Sequence, residues 1–556
     1  MTTPRSKGSE ALQRVTASNL ARLVEIGPEV GVFLGLDSAP AGLPSLHTDG
    51  IAHRLSIYRD WMAELKALDL AGLAPSERLD VRAFAGHLSL YRYVIQDLAR
   101  WRHNPDVVSS LGELFFTLLV RPRDSEEQRF TEILARLQDV PRFLDDVRSR
   151  LTVLDTVWAE TADQVCLRMR GLWESIAAAA AHAVDGALLA EIEAAARKAA
   201  AAVVDYRAWL AAFPHREEGL WILGDERFEE LVGLKGLAMT VDEIREVGEY
   251  YLEDLRAKRT ELARSLCESG DVAEARSRAR RPVPADFGQA LEQIRGVASD
   301  SRRFLREREL VPLPDGEELV VMQTPDFLAP LIPLAAMLEA GVYEKIQRSV
   351  YMVTPPASGD LSDLALNRFS GIAVHEGYPG HHLQHAHAHR NTSVYRNNPF
   401  AGFPRDPAAR FGLDLVEGWA HYCEEMMKNY GFHDSLEARY LMVEDQLFRA
   451  VRILIDVDLS RGRMSMGEAQ RMLTDEVGVA PATASAEVRR YTTSPTYQLC
   501  YLLGKHKIER FREEVRSLMG VGFDDLEFHR LVLDAGCIPV EMIRESFLAS
   551  LPQGIA

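Results

Sequence analysis

At 556 residues, 47% hydrophobic and 26% charged, the chain exceeds one minimal domain and can bury a large core, which excludes a disordered, collagen-like or fibrous protein. With 64 basic against 82 acidic residues its formal charge is -18, and long-range repulsion then disfavours nucleic acid and anionic membrane as general partners.

The amino-terminal stretch MTTPRSKGSEALQRV lacks the apolar core of a signal peptide, and no segment approaches the roughly 18 uninterrupted apolar residues of a membrane span. Five cysteines (Cys166, Cys267, Cys423, Cys500 and Cys537) form no CxxC pair and read as small buried hydrophobes in a reducing compartment, so a cytoplasmic location is expected. In GIAHRLSIYRDWMAELKALDL, Ile51, Leu55, Tyr58, Met62, Leu65 and Leu68 recur every three or four residues, the stripe of a helix packed on other helices. The alanine-dense segment 175–213 favours helix and lets helices approach closely.

Proline and glycine interrupt this pattern at 34–50, from 280 and from 309. The last break divides a helical part, 1–310, from a part 311–556, within one continuous two-lobed fold. ELVVMQTPDF and SVYMVTPPASGD follow, two short runs ended by proline that predict a small sheet. Their residues 318–323 and 349–354 could offer an exposed edge to an extended peptide. No fixed-period repeat is visible, so the reading is a mainly α fold with a small β element just ahead of a histidine cluster.

That cluster is GIAVHEGYPGHHLQHAHAHR, in which five of the 16 histidines fall within nine positions and His375 precedes them by six. It nearly spells HExxH, where two histidines one helical turn apart share a zinc ion and the glutamate polarises its water. Here the fourth position after His375 is Pro379. In a regular helix of ~100° per residue, His381 would point away from His375, and His382 would lie about 10 Å along the axis. Proline and glycine at 379–380 must therefore distort the helix, and a bulge would bring His381 into the second ligand position with Glu376 beside the metal. A third ligand is expected from LDLVEGWAHYCEEMMKNYG, where Glu417 accompanies an apolar stripe. Its alternative partner is His421, one turn later, which could also steer a ligand or bind substrate. His385, His387 and His389 read as solvated or packed at the helix end.

HE-x-x-P-G-H followed by EGWA-x-Y resembles the bacterial domain-of-unknown-function 885 family, distantly similar to gluzincin metallopeptidases such as carboxypeptidase Taq and angiotensin-converting enzyme. The resemblance implies a large helical zincin-like fold with a deep groove. It further implies His375, His381 and Glu417 as zinc ligands, His381 rather than His382 because the second histidine follows a glycine, and Glu376 as general base. VRRYTTSPTYQLCYLLGK resembles the family's carboxy-terminal pattern at Arg490, Tyr491, Pro495, Tyr501 and Gly504, but has Thr496-Tyr497 where Gly-Gln is expected. A tyrosine hydroxyl, Tyr501 ahead of Tyr497, could stabilise an oxyanion, and Arg489 or Arg490 could hold a peptide carboxylate.

The expected function is zinc-dependent hydrolysis of a peptide or small amide, with His382, His421, Tyr497 and Arg490 contacting substrate or supporting the ligands. Two alternatives are a metal-dependent amidohydrolase or esterase acting on a non-peptide small molecule, and a helical metal-binding module without turnover. Glu376 argues against the second, since a purely structural zinc site closes its fourth position.

Overall fold

A computed structural model describes residues 7–551 apart from 37–39, 327, 330, 331, 333, 357 and 398–405. Residues 1–6 of the amino-terminal stretch, 37–39 of the first expected break, and 327 and 357 in the two β runs lie outside the described residues.

The chain is mainly helical. The first apolar stripe forms helix Thr48–Lys66, but its buried face is turned slightly, onto Arg54, Ile57, Tyr58, Trp61 and Leu65. Trp61 is fully enclosed, and Arg54 joins that face because Glu29 accepts its hydrogen bond at 2.8 Å. The alanine-dense segment makes two helices, Arg170–Ala183 and Gly186–Ala212, separated at Val184 and Asp185. Small residues Ala195, Ala196 and Ala199 let the second lie against helix Glu126–Arg150.

Both expected strands form, as Glu317–Gln323 and Gln347–Val353, parallel and paired from Glu317 with Gln347 to Gln323 with Val353. A third strand, Ala335–Leu338, pairs antiparallel with Gln347–Val353 on its other side. The run 349–354 therefore offers no edge. It is the central strand, as its unbroken apolar sequence Val350, Tyr351, Met352, Val353 suits. Its side chains alternate between two cores: Val350 and Met352 join one built largely from residues 32–210, whereas Tyr351 and Val353 join a larger one drawing on residues from Leu12 to Ile543.

In the larger core, helix Leu413–Asn429 crosses helix Cys500–Met519 with backbones in contact. A Cβ on Gly504 would sit 1.9 Å from the Asp414 carbonyl oxygen, and one on Gly418 would sit 2.5 Å from the Gly504 carbonyl carbon. No described helix is long and apolar enough to cross a membrane.

Gly504→Ala should destabilise the fold by about 3 kcal/mol, because the neighbour that must yield is backbone. Gly296, at an exposed position of helix Phe287–Arg308 with nothing within reach of a Cβ, is the control; Gly296→Ala should gain about 0.5–1 kcal/mol. Thermal unfolding of the two variants should shift in opposite directions.

Candidate metal centre

Helix Leu366–Glu376 stops at Gly377, and after Tyr378 and Pro379 a new helix runs His381–Asn391. The expected bulge within one helix is thus a complete break. Pro379 has no N–H to continue the ladder, and Gly380 instead donates its N–H back to the Val374 carbonyl at 3.0 Å. A Cβ on residue 380 would lie 1.8 Å from the His375 carbonyl oxygen, so glycine alone permits this closure. His381 consequently starts its helix beside His375, with ring centroids 4.7 Å apart and planes at 87°.

Glu417 arrives from helix Leu413–Asn429, which is fastened to the same turn by Trp419 Nε1 donating to the Pro379 carbonyl at 2.8 Å. Its Oε2 lies 3.6 Å from His375 Nε2 and 3.4 Å from His381 Nε2. These separations are too long for strong hydrogen bonds, and Oε2 has no hydrogen-bond partner. They match the edges, about 3.3 Å, of a tetrahedron whose ligands lie roughly 2.0–2.1 Å from a zinc ion. Among the described residues, His375, His381 and Glu417 are the group of three buried donors that could hold a metal, their ligand atoms within 4.8 Å of one another.

The electrostatics point the same way. Three buried carboxylates, Glu376, Glu417 and Glu424, face the two imidazoles. Buried charge of one sign requires a counter-charge. Burial works against a charged His375, yet Glu417 and Glu424 hold its pKa up to about 10. Burial also opposes ionisation of Glu417, but the facing imidazoles of His375 and His381 keep it well below the usual carboxylate range.

Glu424 is a residue that motif reading missed. It accepts from His375 Nδ1 at 2.7 Å, which leaves Nε2 as the free donor atom toward Glu417, and it lies 3.3 Å from His421 Nδ1. Burial disfavours its charge, but His421, His375 and Arg449 hold its pKa well below the usual range. The signal was available: Glu417 and Glu424 are seven residues apart, two helical turns, and so share a face. His421 therefore supports the centre through Glu424 and does not pair with Glu417.

Glu376 sits beside the trio, and burial raises its pKa against the opposing pull of His375 and His381. Its carboxylate makes no hydrogen bond to a described residue. The Tyr351 hydroxyl, fully buried on the central strand and without a hydrogen-bond partner among the described residues, is near enough to feel its charge.

Tyr497 donates to Glu417 Oε1 at 2.5 Å and so orients the ligand. The Tyr501 ring lies nearly parallel to that of His375, 6.2 Å away, and Arg452 covers it at 4.5 Å. Burial pushes the Tyr501 hydroxyl up to about 12, so it is protonated near neutral pH. The unexpected Thr496 adopts φ 67°, in the left-handed region where a β-branched residue is strained, which explains why glycine is expected there. Asp456 holds this turn by accepting from the N–H groups of Thr496 and Leu499.

The remaining expected residues lie elsewhere. His382, next along its helix, points toward the sheet, where Nδ1 meets Ser349 Oγ at 2.8 Å and Nε2 meets Glu317 at 2.9 Å. It fastens the histidine helix to the sheet and is fully buried. His385 and His387 are buried rather than solvated, paired with Glu339 and Asp534, and His389 meets Gln347. Arg489 pairs with Glu160, and Arg490 with Glu487. Arg490 and Glu487 belong to the wall of a cavity of about 1020 Å³ lined also by Tyr91, Arg100, Trp101 and Pro407. None of the trio lines it; Tyr491 and Arg452 stand between that wall and Tyr501.

Fold and site define a large helical protein carrying a buried two-histidine, one-glutamate cluster beside a glutamate that makes no hydrogen bond to a described residue. The chain belongs to the family described as "Bacterial protein of unknown function (DUF885)", whose pattern matches residues 28–547. The fold is shared with a "putative lipoprotein of unknown function" from Shewanella oneidensis, 20% identical with a TM-score of 0.76. It is shared also with a "putative lipoprotein" from Colwellia psychrerythraea, 16% identical with a TM-score of 0.82. Each alignment covers 97% of this chain and 99% of the other. No curated protein matches the chain.

Glu424→Gln should keep the fold but weaken zinc binding roughly 10- to 100-fold by releasing the hydrogen bond that orients His375. Titration against a competing chelator measures this directly.

Proposed function

We propose that this protein is a zinc-dependent hydrolase of peptide bonds. The observation that carries the reading is Glu376, a buried carboxylate with no hydrogen bond to any described residue, beside three convergent atoms that could ligate a metal. A site that served only to brace the fold would use such a group as a fourth ligand or pair it.

A zinc ion held by His375, His381 and Glu417 would supply Lewis acidity and bring the pKa of a water to about 7. Glu376 takes the proton from the attacking water and returns it to the departing amine nitrogen. Tyr501, still protonated near neutral pH, offers its O–H to the oxygen that gains charge. Glu424 and Tyr497 keep a histidine and the glutamate ligand in place throughout.

The small sheet supports an extended substrate. Among the described residues Ala335–Leu338 pairs on one side only, and Glu339 immediately after it meets His385 Nε2 at 3.0 Å, one helical turn beyond His381. A peptide added along this strand would run beside the histidine helix.

Glu376→Gln should retain one equivalent of zinc and lose hydrolysis of a peptide library by at least about 10²-fold. His375→Ala and His381→Ala should lose the metal itself. Metal analysis with mass-spectrometric digests checks both; a glutamine variant as active as the wild type would remove Glu376 from the mechanism.

A further inference from the structure

The turn that brings His381 to His375 is gripped from two sides. On one side Trp419, from the helix of Glu417, donates to the Pro379 carbonyl at 2.8 Å. On the other stands Glu317, the first residue of strand Glu317–Gln323. Its Oε2 accepts from the Tyr378 hydroxyl, inside the turn, and from Nε2 of His382, the residue after His381, at 2.9 Å. Its Oε1 accepts from Arg302 Nε, on helix Phe287–Arg308, at 2.7 Å. One carboxylate thus holds the chain both before and after a metal-ligating position.

The sheet explains how it reaches both. Glu317 lies opposite Gln347, and Ser349 is two residues on along the central strand, so Glu317 and Ser349 share one face. His382 spans the pair: with its Nε2–H given to Glu317, its Nδ1 accepts from Ser349 Oγ at 2.8 Å. The rings of Tyr378 and His382 meet edge to face, their centroids 5.0 Å apart. Glu317, Ser349, Tyr378 and His382 are all buried, where each lost bond leaves a polar group unpaired.

For packing alone, an apolar side chain would serve as well as a buried charge. What the carboxylate adds is direction, and the ligand atoms need it. Their separations are 3.6 and 3.4 Å from Glu417 Oε2. A rotation of ~20° about a helix axis roughly 5–6 Å away would carry an imidazole about 2 Å, whereas zinc ligands keep their distances to within about 0.2 Å.

We propose that Glu317 is a positioning residue of the metal centre: by clamping Tyr378 and His382 to one oxygen, it sets the stance of His381 toward His375 and Glu417. This rests on the metal-centre part of the hydrolase reading and is independent of turnover.

Metal binding by the full chain tests it without reference to activity. Glu317→Gln should bind zinc about 10- to 100-fold more weakly in competition with a chelator, the usual cost of losing an outer hydrogen bond that orients a ligand. Its cobalt(II) form should show altered visible absorption, which reports the geometry of the ligands. Tyr378→Phe and Ser349→Ala each remove one hydroxyl from the clamp without changing charge. Both should move the same two readouts in the same direction by a smaller amount, and they carry the test if Glu317→Gln does not fold. Glu29→Gln, which breaks the separate buried pair with Arg54, controls for stability alone: its thermal midpoint should fall while zinc affinity and the cobalt(II) spectrum stay those of the wild type. Clamp variants that bind both metals as the wild type does, an equal loss of affinity in Glu29→Gln, or a wild type that binds no metal overturns the assignment. A wild type that binds zinc yet cleaves no peptide ends the hydrolase reading alone and leaves the Glu317 result standing.

Discussion

Everything at the centre depends on one backbone contact, the Gly380 α-carbon seated against the carbonyl oxygen of His375. That contact folds two helices back on each other, so that histidines six residues apart in sequence become neighbours in space. A second contact of the same kind, Gly504 on the Asp414 carbonyl, presses the helix of Glu417 against the helix of Tyr501. The ligands and the tyrosine come from separate elements, and main-chain contacts hold them more stiffly than side-chain packing could, because no rotamer can give way.

Around this frame the six histidines of one stretch divide their work by direction. His375 and His381 face the carboxylate of Glu417. His382 and His387 tie the same helix to Glu317 of the sheet and to Asp534. His385 reaches Glu339 beyond the edge strand. Each residue step turns the side chain by about 100°, so one short helix faces the Glu417 cluster, a sheet and a neighbouring helix at once. Desolvation lowers the pKa of His385, and takes that of His389 to about 3. Those imidazoles are therefore neutral hydrogen-bonding groups, not added positive charge.

The solved relatives share the whole fold at 20% and 16% identity, so the architecture tolerates wide change in sequence. Thr496 is a β-branched residue in the left-handed backbone region, and the buried Asp456 carboxylate braces its turn by accepting main-chain N–H groups. Tyr497, next to it, donates a hydrogen bond to Glu417.

The amino-acid sequence by itself determined the helical character, both longer strands of the sheet and the disruption at Pro379–Gly380, since these follow from local periodicity, β-branching and backbone restriction. The motif spacing also singled out His375, His381, Glu376 and Glu417. Only the tertiary structure decided that the helix breaks instead of bulging, because the hydrogen bond from Gly380 to Val374 needs a full turn of chain to close. It alone decided that Gln347–Val353 is central, since the short strand Ala335–Leu338 carries too little pattern to be read locally. Tyr351 likewise emerged only in three dimensions, marked by a buried hydroxyl with no hydrogen-bonding partner among the described residues. The spacing of Glu424 from Glu417 was legible, but its hydrogen bond to His375, 49 residues away, was not.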